Sequence, residues 1–130
     1  MKIYLSGSMR SVEDSNRPLF EMAARVMRVL GHEVFNPSSS WDGSDGLDLG
    51  QCFDIDAAML RSCDAVFVLP GAHKDSLGVA MEKAVAAFLE KDVVEYDEWY
   101  ETMLGGCSLS RLATFSDDNI RGAVRTEMEI

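Results

Sequence analysis

"DAVFVLPGAHKDSLGVAMEKAVAAFLE", residues 64–90, decides the fold. Ala65 to Leu69 form an unbroken apolar run closed by Pro70 and Gly71, the pattern of a short strand buried on both faces. Ser76 then stands where a helix N-cap would, and an apolar helical run extends from about Leu77 to Glu90. One residue breaks the apolar character of that helix. Glu82 falls on the stripe shared by Gly78 and Ala86, four residues to either side. Small neighbours leave room around a carboxylate.

Working outward, the same alternation recurs. "KIYLSGS" opens the chain with a short β-rich run, Ile3 to Leu5, that turns at Gly7. A helix follows, with Asp14, Ser15 or Asn16 as candidate cap and Pro18 in its first turn. Leu19, Phe20, Ala23, Val26, Met27 and Leu30 recur at helical spacing up to Gly31. "HEVFNP" is a second short strand. Residues 38–50, rich in Ser, Gly and Asp, read as a long loop. "QCFDIDAAMLRSC" reads as a helix over about 51–62, and "DVVEY" as a fourth strand. The order β-α-β-α-β-α-β predicts an α/β single domain. It is a Rossmann-like or flavodoxin-like parallel sheet of four to five strands with helices on both faces. One domain spans residues 1–130, with a core over about 1–95 and an extension over about 96–130. In that extension "YDEWYETML" looks helical, "GGCSLS" looks like a turn, and the last stretch is a helix or a loose tail.

The bulk numbers narrow the function. A chain of 130 residues with 47% hydrophobic residues can bury a real core. Its formal net charge of -10 argues against duplex nucleic acid or an anionic membrane as partner. No apolar run approaches a membrane helix, and the N-terminal stretch is too short for a signal peptide. Three widely spaced cysteines, Cys52, Cys63 and Cys107, form no C-x-x-C pair, and His32 and His73 lie far apart. Reduced thiols in a cytoplasmic protein are the expectation, with no metal site and no cofactor.

Parallel sheets of this kind bind ligands beyond the carboxyl ends of their strands. Three such ends carry chemistry here: Ser6-Gly7-Ser8, Asn36-Pro37 and Pro70-Gly71. After the first come Met9 and Arg10. Small residues let backbone N–H groups approach an anion, and Arg10 could clamp a phosphate. Ser76 could cap its helix, offer its hydroxyl to an anion, or do both. The helix around Glu82 is apolar enough to be buried on most sides, as a central crossover helix would be, and a Glu there needs a reason. Asp54 or Asp56 could face the same crevice, while Asp64 supports a turn.

Together "YLSGSMR", Asp56 upstream of "CDAVFV", and "SLGVAMEKAVA" resemble the nucleoside 2-deoxyribosyltransferase superfamily. The nearest resemblance is to its nucleotide branch, the 2'-deoxynucleoside 5'-phosphate N-hydrolases. "GHEVFNP" and "CDAVFVLPG" are also similar to small phage and bacterial members. The resemblance spans roughly residues 1–95. It implies that Glu82 acts on the anomeric carbon of a nucleoside sugar, that Asp56 protonates or orients the leaving base, and that Tyr4 contributes to the site. It implies a phosphate held by Gly7, Ser8, Met9, Arg10 and Ser76, with Gly78 leaving space for the sugar; Asn36 joins the candidate substrate-binding residues. "SLGVAMEK" lacks the more polar string common among the transferases, which favours water as acceptor. Lys83, directly after Glu82, should point elsewhere on its helix.

The expected activity is therefore hydrolysis of the N-glycosidic bond of a (deoxy)nucleoside 5'-monophosphate. Base exchange between nucleosides, or non-catalytic nucleotide binding, are the alternatives. The expected partners are a nucleotide or nucleoside and further copies of the chain, as a homodimer or higher homo-oligomer. The resemblance implies a residue lent across that interface, with Ser108 or Ser110 as candidates. Trp41 could cover the base or simply pack.

Overall fold

The computed structural model describes residues 1–8, 16–40, 49–71 and 77–129. Four parallel strands, β1 (Lys2–Ser6), β2 (Glu33–Phe35), β3 (Ala65–Val68) and β4 (Asp92–Val94), form one sheet in the order β2-β1-β3-β4. The helices are α1 (Arg17–Val29), α2 (Pro37–Ser40), α3 (Leu49–Ser62), α4 (Leu77–Phe88), α5 (Tyr96–Thr102), α6 (Leu109–Leu112) and α7 (Asp117–Glu129). The expected parallel α/β sheet is the one found, with four strands.

The strand order fixes the layers. From β1 the chain steps outward to β2, then crosses back over β1 to β3 and on to β4. Reversing direction while keeping one crossover hand places the connecting helices on opposite faces. The alternation within β1 shows the result. Ile3 and Leu5 pack with Phe20, Ala23, Val26 and Met27 of α1. Tyr4 packs on the other face with Leu60 of α3, Val66 of β3 and Ala86 of α4. The reversal also opens a crevice between the carboxyl ends of β1 and β3, the switch point where such sheets bind ligands.

The α1 face is closed by the chain's last third. Trp99, Leu104, Leu109, Leu112 and Ile120 are buried in the same cluster as Ile3 and Leu5. The Trp99 indole N–H donates to the carbonyl of Val68 at 2.8 Å, so its one polar atom is satisfied. Arg25 of α1 donates to the carbonyls of Ala113 and Phe115 and pairs with Asp117. The core is thus not confined to residues 1–95. The stretch that read as helix or loose tail is helix α7, docked through Ile120 and Val124.

Several local readings change. Asn16 occupies the N-cap position of α1 in the left-handed region (φ 62°) and makes no side-chain cap. Its amide instead donates to the Ser8 carbonyl at 2.9 Å, tying the end of β1 to the start of α1. The segment expected as a loop from residue 38 begins inside α2, and α3 starts at Leu49 rather than near 51. Trp41 lies outside the described residues. Asp64, expected to support a turn, accepts the Lys2 backbone N–H at 2.7 Å and so joins the starts of β3 and β1.

Helix α4 differs most from expectation. It is not buried on most sides. Gly78, Ala80, Met81, Ala84, Ala87 and Phe88 are exposed, Phe88 to 86%. Among its described side chains only Val79 and Ala86 are buried. The helix lies on one face of a four-stranded sheet, and no described residue covers its outer side, so its apolar character spans two faces of which the described residues fill one.

Candidate active site

The site begins on β1. Along the strand, alternate residues face α3 and α4, and two of these, Tyr4 and Ser6, are polar and fully buried. From above, α4 lowers Glu82 onto them. Its inward stripe reads Val79, Glu82, Ala86, so the carboxylate sits one turn above the buried Ala86. The Ser6 hydroxyl donates to Glu82 Oε1 at 3.0 Å. Lys83, one residue on, points aside and pairs with Glu95 at 2.6 Å.

Helix α3 supplies the third group. Asp56 lies on the stripe that continues through the buried Leu60 and Cys63, which turns it toward the sheet, whereas Asp54 is exposed. The two candidate carboxylates are thereby separated. Asp56 is close enough to raise the proton affinity of both Tyr4 and Glu82.

Burial controls the electrostatics. Desolvation pushes the Glu82 carboxyl up to about 7. Donation from the Tyr4 hydroxyl and then from Ser6 works against that rise, and the negative charge of Asp56 adds to it. Tyr4 is driven far above the usual phenol range, first by burial and then by the charges of Glu82 and Asp56, so it stays a proton donor. Its hydroxyl forms no hydrogen bond of full geometry among the described residues, yet it interacts with both carboxylates. The aromatic ring is held at a centroid distance of 5.3 Å from Phe35, its neighbour across the β1–β2 pair.

Gly78 is exposed one turn before Glu82 on α4, and a Cβ built there would meet nothing within 4 Å. Among the described residues nothing fills the space beside the carboxylate. Gly7 is small for a different reason. A Cβ there would press on the side chains of Leu69 at 3.0 Å and Phe20 at 3.2 Å, so the core packs closely against this glycine. Asn36 is buried and its Oδ1 accepts from the Ser38 N–H at 3.0 Å and the Ser38 hydroxyl at 2.7 Å, capping α2. Ser8 is buried at the end of β1. Met9, Arg10 and Ser76 lie outside the described residues. Ser108 caps α6, accepting from Arg111 N–H at 3.3 Å, on the sheet face away from Glu82.

The structure therefore brings Tyr4, Asp56 and Glu82 together and adds Ser6, which the sequence showed only as a loop-end residue. The readable signal for Ser6 was its alternation with Tyr4 on one face of β1. No cluster of three His, Cys, Asp or Glu side chains suited to a metal ion exists among the described residues. No described helix is long and apolar enough to cross a membrane.

Residues 1–95 match the family described as "Domain of unknown function (DUF4406)", and the chain belongs to that family. Among solved structures it is similar to a 2-deoxyribosyltransferase from the psychrotolerant bacterium Bacillus psychrosaccharolyticus. The TM-score is 0.60 at 21% identity, over 92% of this chain and 96% of that one. A likeness at that identity establishes a shared fold, the 2-deoxyribosyltransferase-like arrangement of a parallel sheet and flanking helices. No curated protein matches the sequence.

Proposed function

We propose that this protein is an N-glycosidase that cleaves a (deoxy)nucleoside 5'-monophosphate into free base and sugar 5-phosphate. The observation that carries the reading is a largely buried carboxylate, Glu82, that accepts from Ser6 at a strand-end crevice, with Tyr4 and Asp56 beside it and, among the described residues, open space at Gly78. Burying a carboxylate without a cation partner among the described contacts is unfavourable for the fold. Such an arrangement is the mark of a functional group.

The chemistry follows from the charges. Breaking the bond between C1' and the base nitrogen builds positive charge on the sugar. An ionised Glu82 stabilises that charge or attacks C1' as nucleophile, while the bond's electron pair leaves with the base. With one proton shared by the two carboxyl groups, the form that reacts has Glu82 ionised and Asp56 protonated; Asp56 gives that proton to the base, and help of that kind is typically worth ~10²–10⁴-fold. Water then attacks C1', Glu82 departs as carboxylate, and the water's proton returns to Asp56. The Tyr4 hydroxyl, which stays protonated and interacts with both carboxylates, favours the ionised form of Glu82. A 5'-phosphate would sit over the end of β1 and the start of α4, with Gly7, Ser8, Met9, Arg10 and Ser76 as its holders. Remote binding of that kind supplies orientation at the reacting bond.

Base exchange is the second reading, and the fold shared with a 2-deoxyribosyltransferase supports it. The two readings differ only in what accepts the sugar. The exposed apolar face of α4, with Met81 and Phe88, fits the expected homodimer. On a chain of net charge -10, an uncharged face is where two copies can meet.

The test is a product analysis. The protein is incubated with ribo- and deoxyribonucleoside monophosphates and the matching nucleosides, with and without a second free base. Free base from monophosphates, unaffected by added base, is the expected result. A new nucleoside formed with the added base would move the assignment to a transferase. Binding without product from any substrate would leave a nucleotide-binding module.

A further inference from the structure

The end of β1 carries a hydroxyl that the reaction above does not use directly. Ser6 is fully buried, it is the last residue of the central strand, and its Oγ lies 3.0 Å from Glu82 Oε1. A strand is the most rigid support in this fold. Ser6 is fixed on one side by pairing with Val68 of β3, and its carbonyl accepts the Leu69 N–H at 2.8 Å. Glu82, by contrast, extends from a helix whose outer side is covered by no described residue. Among the described residues, the other groups that face the carboxylate carry a competing tendency. Asp56 from α3 repels the charged form, and Tyr4 from β1 is shared between the two carboxylates. On this side of the sheet β3 contributes Val66 and β4 packs Val93 against the same cluster, neither of them polar. Lys83 is turned away to Glu95.

We propose that Ser6 is the positioning residue of this site: its hydroxyl fixes Oε1 of Glu82 from the rigid strand and favours the ionised carboxylate over the protonated acid. The proposal rests on the N-glycosidase reading for its catalytic consequence and on the Ser6–Glu82 contact alone for its physical one. A hydroxyl donates more strongly to a carboxylate than to the carbonyl oxygen of the neutral acid. Removing it shifts Glu82 toward protonation and frees the side chain to rotate. It does not touch substrate recognition. The expected signature is a fall in kcat with KM unchanged, and a displaced acid limb in the pH profile.

The experiment titrates Glu82 itself. The protein is labelled with 13C at the glutamate carboxyl carbons, the Glu82 signal is assigned by its loss in Glu82→Gln, and its midpoint is followed in wild type and Ser6→Ala. The midpoint should rise by about one pH unit in Ser6→Ala, and Ser6→Thr, which keeps the hydroxyl, should restore it. In base-release assays Ser6→Ala should lose about tenfold in kcat below the midpoint while KM holds. Should Ser6→Ala fail to fold, Ser6→Cys, similar in size but a weaker donor, carries the same expectation. An unchanged Glu82 midpoint in the folded variant would overturn the proposal, and so would a loss confined to KM. If wild type releases no base at all, the N-glycosidase reading fails while the titration still decides the role of Ser6.

Discussion

The two faces of the sheet are built to opposite ends. On the α1 side, Ile3 and Leu5 of β1 enter a closed apolar cluster that recruits residues from α1, α5, α6 and α7. On the α3–α4 side, the same strand presents Tyr4 and Ser6 to a carboxylate, over a smaller cluster of Leu60, Cys63, Val66 and Ala86. The first face is apolar at its centre and satisfies the polar atom of its largest side chain, the Trp99 indole. The second buries a carboxyl whose proton affinity is raised to about 7. One side supplies stability and the other places strained chemistry on top of it, which is how a small domain supports an unfavourable buried charge.

The comparison can be broken first where the stabilising face is strongest. Trp99→Ala should destabilise the fold by about 3–5 kcal/mol, the range for removing a large buried aromatic. Chemical denaturation checks this, and a loss below about 1 kcal/mol would show that the α1 face is not the main core.

On the functional face the sign reverses. A carboxyl raised from its ordinary value to about 7 binds more protons folded than unfolded between those values. Folding stability therefore falls as pH rises through that window. Glu82→Gln removes this penalty, so the variant should gain on the order of 3 kcal/mol relative to wild type at pH 8 and almost nothing at pH 4. Denaturation curves at the two pH values measure the difference. An equal effect at both would mean that Glu82 is not buried as a titrating acid.

Gly78→Ala separates the fold from the ligand. The added methyl meets no atom of another described residue within 4 Å, and Ala is the better helix former, so stability should rise by up to ~1 kcal/mol. If a sugar occupies that space, KM should rise at the same time. A stability gain with unchanged kinetics would place the substrate elsewhere. Lys83→Ala, finally, removes only an exposed ion pair with Glu95 and should change stability by less than about 0.5 kcal/mol in the same denaturation assay.

These contrasts also mark what could be read before the fold. Strand and helix order was legible because Ala65–Leu69 and the run after Ser76 have unmistakable lengths and periods. Glu82 was legible because it interrupts an apolar stripe. The choice between Asp54 and Asp56 needed the helix phase, since only Asp56 shares its stripe with Leu60 and Cys63. Ser6 was obscured because a serine at a strand end is an ordinary turn residue until topology lays α4 over β1. The smallness of Gly7 suited an anion loop equally well, and only the packing against Leu69 and Phe20 shows what it serves. The exposure of α4 could not be read at all. An apolar helix has the same sequence whether its outer face meets its own chain or another copy, and composition carries no record of which.

The central claim is that the carboxylate on the polar face does the chemistry. The direct measurement is base release from deoxynucleoside monophosphates at pH 8, where Glu82 is ionised, for wild type and Glu82→Gln, with ligand binding followed in parallel by thermal shift. Wild type should release free base. Glu82→Gln should fold, still bind the monophosphate, and release base at least about a thousandfold more slowly, as expected for loss of the principal stabilising group. A variant that keeps its rate within tenfold of wild type would contradict the account.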